Sequence, residues 1–278
     1  MYARGSGRYN RAMSRPLAAV TGASAGIGAA FARKLAARGY DLLLIARRRD
    51  RLQQLAAELP VDAEPFPADL SVPEEIERVA QRLSGDPRLD LLVNNAGFGT
   101  RGRIFEAPFE EQARMHRVHV DATLRLTHAA LAGMVRRDRG GIINLASVAA
   151  FARSPNNVSY CATKTWIHVF TEGVYLELRG IRSKVKVQSL CPGFTHSEFH
   201  DVLGVDRSFI PSRLWMSAED VVETSIQGLD RGKLFVIPGW KYRLFVSVFP
   251  RLPSALRLRL EAKPRYTKMP EHDSRLPV

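Results

Sequence analysis

The stretch VTGASAGIG, residues 20–28, follows the apolar run LAAV (17–20) and opens a segment with helical periodicity over about 27–38. Gly22, Gly26 and Gly28 are spaced G-x3-G-x-G rather than G-x-G-x-x-G. Glycine permits a sharp turn and removes the Cβ atoms that would keep an anion away from the backbone. The amides opening the next helix then point at that anion, and the helix dipole favours it. A glycine-rich turn can also do no more than pack helix on strand, so its placement directly after a first strand carries as much weight as the glycines.

Outward from this turn, short apolar runs alternate with helical segments. DLLLIA (41–46), EPFPADLS (64–71, with a short strand ending at Asp69), LDLLVNNAG (89–97), GIINLAS (141–147), KVKVQSLCPG (184–193) and KLFVIP (233–238) read as further strands. Gly39 ends the first helix, and Pro60 stops a second near 48–59. Pro73 opens a third that runs to about Leu83, and a long helix is expected over 108–138. Another carries Tyr160 and Lys164 to about Arg179, and a last one over 217–229 starts at a Ser217 cap with a box-like Asp220. Apolar strands alternating with helices imply an α/β fold, a doubly wound parallel sheet of about seven strands covered on both faces, with right-handed crossovers. No internal repeat or low-complexity linker divides the chain. The expected organisation is a basic tail (1–15), one nucleotide-binding type of domain (16–238) and a basic, partly apolar extension (239–278).

The composition fits such a domain. Of 278 residues, 45% are hydrophobic and 25% charged, enough for a full core. Net charge is +13, but most of it belongs to the ends: +4 in residues 1–15 and +6 in 239–278 leave only +3 in the middle. A nucleic-acid binder is therefore not expected, since the folded middle is nearly balanced in charge. Cys161 and Cys191 are too few for a disulfide scaffold or a Cys-based zinc site, which points to a reducing cytoplasm, and no metal is expected. Residues 1–15 lack the apolar core of a secretory signal. They are Arg-rich and acid-free, as transit peptides are, yet could equally be an unstructured tail or precede a true start at Met13. No run approaches a membrane span of about 20 apolar residues.

TGASAGIG (21–28), NNAG (94–97), Ser147, YCATK (160–164) and CPG (191–193) occur in an order that resembles the short-chain dehydrogenase/reductase family over about 16–238. The resemblance implies a Rossmann-type fold and an NAD(P)-dependent oxidoreductase of the carbonyl reductase kind. It assigns the glycine turn, through Gly22, Ser24, Ala25, Gly26, Ile27 and Gly28, to the cofactor. Asp69 and Leu70 resemble the adenine-contacting pair, and Asn95, Ala96 and Gly97 the turn beneath the adenine ribose. Pro192, Gly193 and Thr195 resemble the nicotinamide segment. The second strand ends in Ala46 where an acid would bind a free ribose 2′-hydroxyl, and Arg47, Arg48 and Arg49 follow. An arginine fork suits a 2′-phosphate, which favours NADP(H) over NAD(H), with Arg47 the first candidate and Arg48 the next.

Tyr160 and Lys164 are one helical turn apart, so the ammonium should sit beside the phenol and lower its pKa from about 10. In the family's mechanism Tyr160 is the general acid in carbonyl reduction and the base in alcohol oxidation. Ser147 binds the substrate oxygen, and Lys164 binds the nicotinamide ribose. Where the family usually has an Asn supporting a water and proton relay to the Lys, this chain has His119, a group that ordinarily titrates near neutrality. His119 could preserve the relay, alter the pH profile or fill space.

Residues 196–216 lie where family members carry a variable substrate lid. Phe199, Leu203, Phe209, Ile210, Leu214 and Trp215 suggest an apolar covering, hence a hydrophobic ketone, aldehyde or alcohol, unless they are ordinary core. The segment 240–260 mixes apolar residues with Lys and Arg and could lie on an anionic membrane surface, although Pro250 and Pro253 break any long helix. Packing on the body or on a partner subunit is the competing reading, and family members are often homo-oligomers. A regulator that binds a dinucleotide without catalysis is the alternative function, opposed by the intact Ser147, Tyr160 and Lys164.

Overall fold

The computed structural model describes residues 15–100, 102–198 and 210–262. Its centre is a seven-stranded parallel sheet: β1 (Leu17–Thr21), β2 (Asp41–Ala46), β3 (Ala63–Pro67), β4 (Leu89–Asn94), β5 (Gly141–Leu145), β6 (Lys186–Leu190) and β7 (Phe235–Val236), in the order β3-β2-β1-β4-β5-β6-β7. The strand order reverses beside β1, where the chain leaves β3 and returns as β4. Such a switch point opens a crevice at the carboxyl ends of the two strands.

Successive residues of a strand face opposite sides, and here both sides are covered. Ala18, Val20, Leu42 and Leu44 pack with Phe31 and Leu35 of α1 (Gly26–Ala37) and Val221 and Ile226 of α7 (Ala218–Asp230). Leu17, Ala19, Leu43 and Ile45 pack on the other side with Val79 and Leu83 of α3 (Pro73–Ser84), Leu126 and Met134 of α5 (Ala122–Arg137) and Leu178 of α6 (Val158–Gly180). That is why β1 and β2 read as unbroken apolar runs instead of alternating. α2 (Arg49–Glu58) and α4 (Phe109–His116) complete the covering of the domain.

One expected strand ends early. β3 ends at Pro67, two residues before Asp69, and lies at the sheet edge, where Pro65 and Pro67 leave no ladder donor missing inside the sheet. The long helix expected over 108–138 is present and continuous from Phe109 to Arg137, with α4 passing through a π-helical turn, Arg117–Asp121, into α5. Residues 240–261 of the extension form α8 (Trp240–Val248), a 3-10 turn at Phe249–Arg251 and α9 (Ser254–Glu261), with the breaks at Pro250 and Pro253 that the sequence leads one to expect. Among the described residues, no helix is long and apolar enough to cross a membrane.

Candidate active site

The glycine turn is built by close approach. Gly22 takes φ +69°, and a Cβ on it would meet Asn95 Nδ2 at 2.7 Å; one on Gly28 would meet the Gly22 carbonyl oxygen at 2.2 Å. Asn95 is the plug beneath this turn, donating from Nδ2 to the Thr21 carbonyl at 2.8 Å. Thr21 Oγ1 in turn accepts from the backbone N–H of Asn95 and of Ala96, both at 2.9 Å. No side chain caps α1 at Ala25. Its first amides therefore face the crevice without an internal acceptor, the arrangement an anionic ligand uses.

The crevice holds a cavity of about 730 Å³, within the range of small-molecule and cofactor sites. Every residue expected at the cofactor or catalytic site lines it except Gly28, which lies under the turn, and His119, which is wholly buried behind it. At one end are Ala46, Arg47, Arg48, Asp69 and Leu70. Arg48 donates from Nε and Nη2 to Ser24 Oγ at 3.3 and 3.0 Å, which ties it to the glycine turn. Arg47 beside it is exposed. Burial opposes ionisation of Asp69, but hydrogen bonds from the Ser71 backbone and hydroxyl, helped by the Arg47 charge, hold its carboxyl below the usual range.

At the other end Ser147, just past β5, meets Tyr160 and Lys164 of α6. Ser147 caps the 3-10 turn Val148–Ala150 and hydrogen-bonds the Tyr160 phenol. Lys164 is 4% exposed; its Nζ donates to the Leu145 carbonyl at 2.7 Å and lies 5.8 Å from the Tyr160 ring centre. The ammonium is thus beside the phenol, as the spacing predicts, but the expected lowering of the phenol is outweighed. Burial pushes Tyr160 up to about 12, against the Ser147 hydrogen bond. It pulls Lys164 down to about 7. Spacing along a helix reports which charges are neighbours and not how much water has been excluded around them.

His119 sits in the π-helical turn, its Nδ1 2.8 Å from Thr163 Oγ1 and its ring 5.9 Å from that of Tyr160. Thr163 gives its only proton to the Tyr160 carbonyl at 3.0 Å, so it accepts from His119 Nδ1–H. Nε2 is then an unprotonated acceptor. It has no hydrogen-bond partner among the described residues and points at Gly97, where a Cβ would be 2.6 Å from Nε2 and 3.6 Å from Lys164 Nζ. Burial, then the charges of Lys164 and His116, drive the imidazole well below its ordinary pKa. The expectation that it titrates near neutrality fails for that reason.

Several lining residues lay outside the motifs. Ser197 and Glu198 follow the Pro192–Thr195 segment across the glycine turn, and a Cβ on Gly26 would meet Ser197 Cβ at 2.9 Å. Glu198 bridges Arg48, at 2.9 Å, and Arg51, which hold its carboxyl below the usual range. Lys241, Tyr242 and Phe245 of α8 line the cavity as well. The Tyr242 ring occupies the space a side chain at Gly193 would need. Its hydroxyl donates to the Leu214 carbonyl at 2.6 Å and accepts from Phe194 N at 3.0 Å. Of the apolar covering expected from the sequence, Leu214 lines the cavity, Ile210 is buried, and Trp215 stacks on His196 with ring centres 4.8 Å apart. Phe199, Leu203 and Phe209 lie outside the described residues.

The short chain dehydrogenase family matches residues 16–207. An uncharacterized oxidoreductase of Staphylococcus aureus (strain N315) is 32% identical over 222 residues, covering 78% of this chain and 92% of the relative. A short-chain dehydrogenase from Sphingobium yanoikuyae, solved in complex with NADPH, is 32% identical and superimposes with a TM-score of 0.77 over 92% of this chain and 99% of that one. The bulky-bulky ketone specific alcohol dehydrogenase from Comamonas testosteroni is 28% identical, with a TM-score of 0.72 over 93% of this chain and 98% of its own.

Proposed function

The chain belongs to the short-chain dehydrogenase/reductase family and is an oxidoreductase of that family; on that premise we propose that it interconverts a hydrophobic ketone or aldehyde and its alcohol using NADP(H). The observation that carries the reading is the shared cavity: Ser147, Tyr160 and Lys164 stand at one end, and Ala46, Arg47 and Arg48 at the other. Support also comes from the similar Sphingobium protein, solved with NADPH, and the Comamonas enzyme, named for bulky ketones.

The residues present fit a dinucleotide. Gly22, Gly26 and Gly28 leave room for a pyrophosphate at the open N-terminus of α1. Arg48, held by Ser24, and Arg47 would take a 2′-phosphate, with Asp69 and Leu70 on the adenine side. Thr195, beside Pro192 and Gly193, would contact the nicotinamide end. A bound nicotinamide supplies or accepts the hydride. In reduction, Ser147 Oγ–H donates to the substrate carbonyl oxygen, and Tyr160 gives its phenolic proton to that oxygen as negative charge develops there. In oxidation Tyr160 takes the proton back. Lys164 in its ammonium form stabilises the phenolate left behind, and negative charge brought into the cavity favours that form. His119, locked as an acceptor by Thr163, supports the proton path on the Lys164 side. Phe194, Leu214 and Phe245 give the substrate end apolar walls.

A panel of lipophilic ketones and aldehydes, with NADPH and NADH compared by absorbance, tests the proposal. NADPH consumption by bulky apolar carbonyls, at least about tenfold more efficient than with NADH, is the expected result. No turnover with any carbonyl would refute the reaction, and equal efficiency with NADH would refute the role given to Arg47 and Arg48.

A further inference from the structure

Helix α8 has two working faces. Lys241, Tyr242 and Phe245 turn inward to the cavity. Trp240, Leu244 and Val248 recur every fourth residue on another face and are 64%, 56% and 51% exposed. Residues four apart stack along one side of a helix, so these three form a continuous outward apolar stripe. Leu256 and Leu258 of α9 add further exposed apolar surface after the Pro250–Pro253 break.

The exposed charges of this segment, Arg243, Arg251 and Arg259, have one sign. Residues 240–262 contain Lys241, Arg243, Arg251, Arg257 and Arg259 and a single acid, Glu261. That acid is 6% exposed and accepts from the backbone N–H of Arg153 at 2.8 Å, so it offers nothing outward. A second copy of the chain would be a poor occupant: a two-fold contact lays a patch on itself and would bring these cations together. An anionic lipid surface satisfies both features, with headgroups for the Arg side chains and an acyl boundary for the Leu, Val and Trp side chains.

We propose that α8 and α9 dock this enzyme on an anionic lipid surface, laying the helix that walls the substrate end of the cavity against the membrane. The docking stands on the exposed stripe and its charge. Its corollary, that the hydrophobic carbonyl enters from the lipid, rests on the reductase reading given above.

Co-sedimentation of the full chain with vesicles of phosphatidylcholine alone, or with about a third phosphatidylglycerol, is the test. The expected result is at least about tenfold stronger binding to the anionic vesicles, falling severalfold near about 0.5 M salt. The triple variant Trp240→Ser, Leu244→Ser, Val248→Ser should lose about tenfold or more of that binding while its melting temperature and NADPH affinity stay unchanged. Arg243→Glu, Arg251→Glu and Arg259→Glu together should abolish the preference for anionic vesicles. Equal binding to both vesicles, or undiminished binding by the triple variant, overturns the proposal. So does a dimer in sedimentation velocity that the triple variant dissolves without any vesicle binding, which would assign the stripe to a second copy. If vesicles are bound but NADPH is not, the reductase reading fails and the docking stands.

Discussion

Lys164 is under two opposed demands, since the proposed reaction uses it as a cation and the fold removes its water. Burial lowers it to about 7 in the native protein, against 10.5 for an ordinary lysine. Between those values the unfolded chain binds a proton that the native chain does not, so native stability rises with pH across that window. Denaturant unfolding of wild type and Lys164→Met at pH 7 and pH 9 should therefore show the difference moving in favour of wild type by about 2–3 kcal/mol at the higher pH. A pH-independent difference would mean the native ammonium is not desolvated. His119 gives the converse prediction. Its imidazole is held neutral by burial, so kcat/KM should carry no His119 ionisation in the neutral range, and His119→Asn should leave the shape of the pH profile unchanged. Only the acceptor at Nε2 then matters, and His119→Leu should lower kcat about tenfold, the loss of one hydrogen bond, with NADPH affinity intact. An inflection near pH 6.5 that vanishes in His119→Asn would contradict this account.

Among the elements, those fixed by local pattern were legible and those fixed by tertiary packing were not. β2 runs Asp41–Ala46 as expected, and the Ser217 hydroxyl caps α7 by accepting from Asp220 N at 3.0 Å. The π-helical turn had no such signal, because the apolar spacing across RVHVD suits an unbroken helix. π-Turns of this kind often mark functional sites, and here one carries the residue at which the chain departs from the family pattern. Glu198 was invisible for a different reason: it lies 147 residues from Arg51 and 150 from Arg48, and only the folded crossing of the glycine turn brings them together. Its carboxylate engages an Arg48 donor that a 2′-phosphate would also use. Glu198→Gln should therefore tighten NADPH about threefold to tenfold and leave NADH within about twofold, as measured by fluorescence titration at low salt. Weaker binding of both cofactors in that variant would show instead that Glu198 holds the cofactor in place.

For the whole molecule, the sheet and its two cores position the chemistry without taking part in it. Thr21, Asn94 and Leu145 end three neighbouring strands, β1, β4 and β5, at the same edge, and the glycine turn, the Asn95 plug and Ser147 follow directly from them. Sequence order was enough to read that much, since apolar runs and glycines announce a doubly wound sheet. A buried hydrogen-bond chain from β4 through β5 to α6 was not readable: Asn94 Nδ2 donates to Asn144 Oδ1 at 2.9 Å, and Asn144 Nδ2 to Thr171 Oγ1 at 3.0 Å. Packing of residues 240–262 on the body was one of the readings open from the sequence, but mixed basic and apolar sequence fits a tail as well as a wall, and Tyr242 seated on Gly193 decides between them. The proton on the Tyr160 hydroxyl is the central claim. The rate of NADPH oxidation with a ketone that wild type reduces, compared with that of Tyr160→Phe at equal cofactor saturation, tests it most directly. The account predicts a loss of about 10²–10⁴-fold with NADPH affinity within about threefold; a Tyr160→Phe enzyme that turns over at the wild-type rate would contradict it.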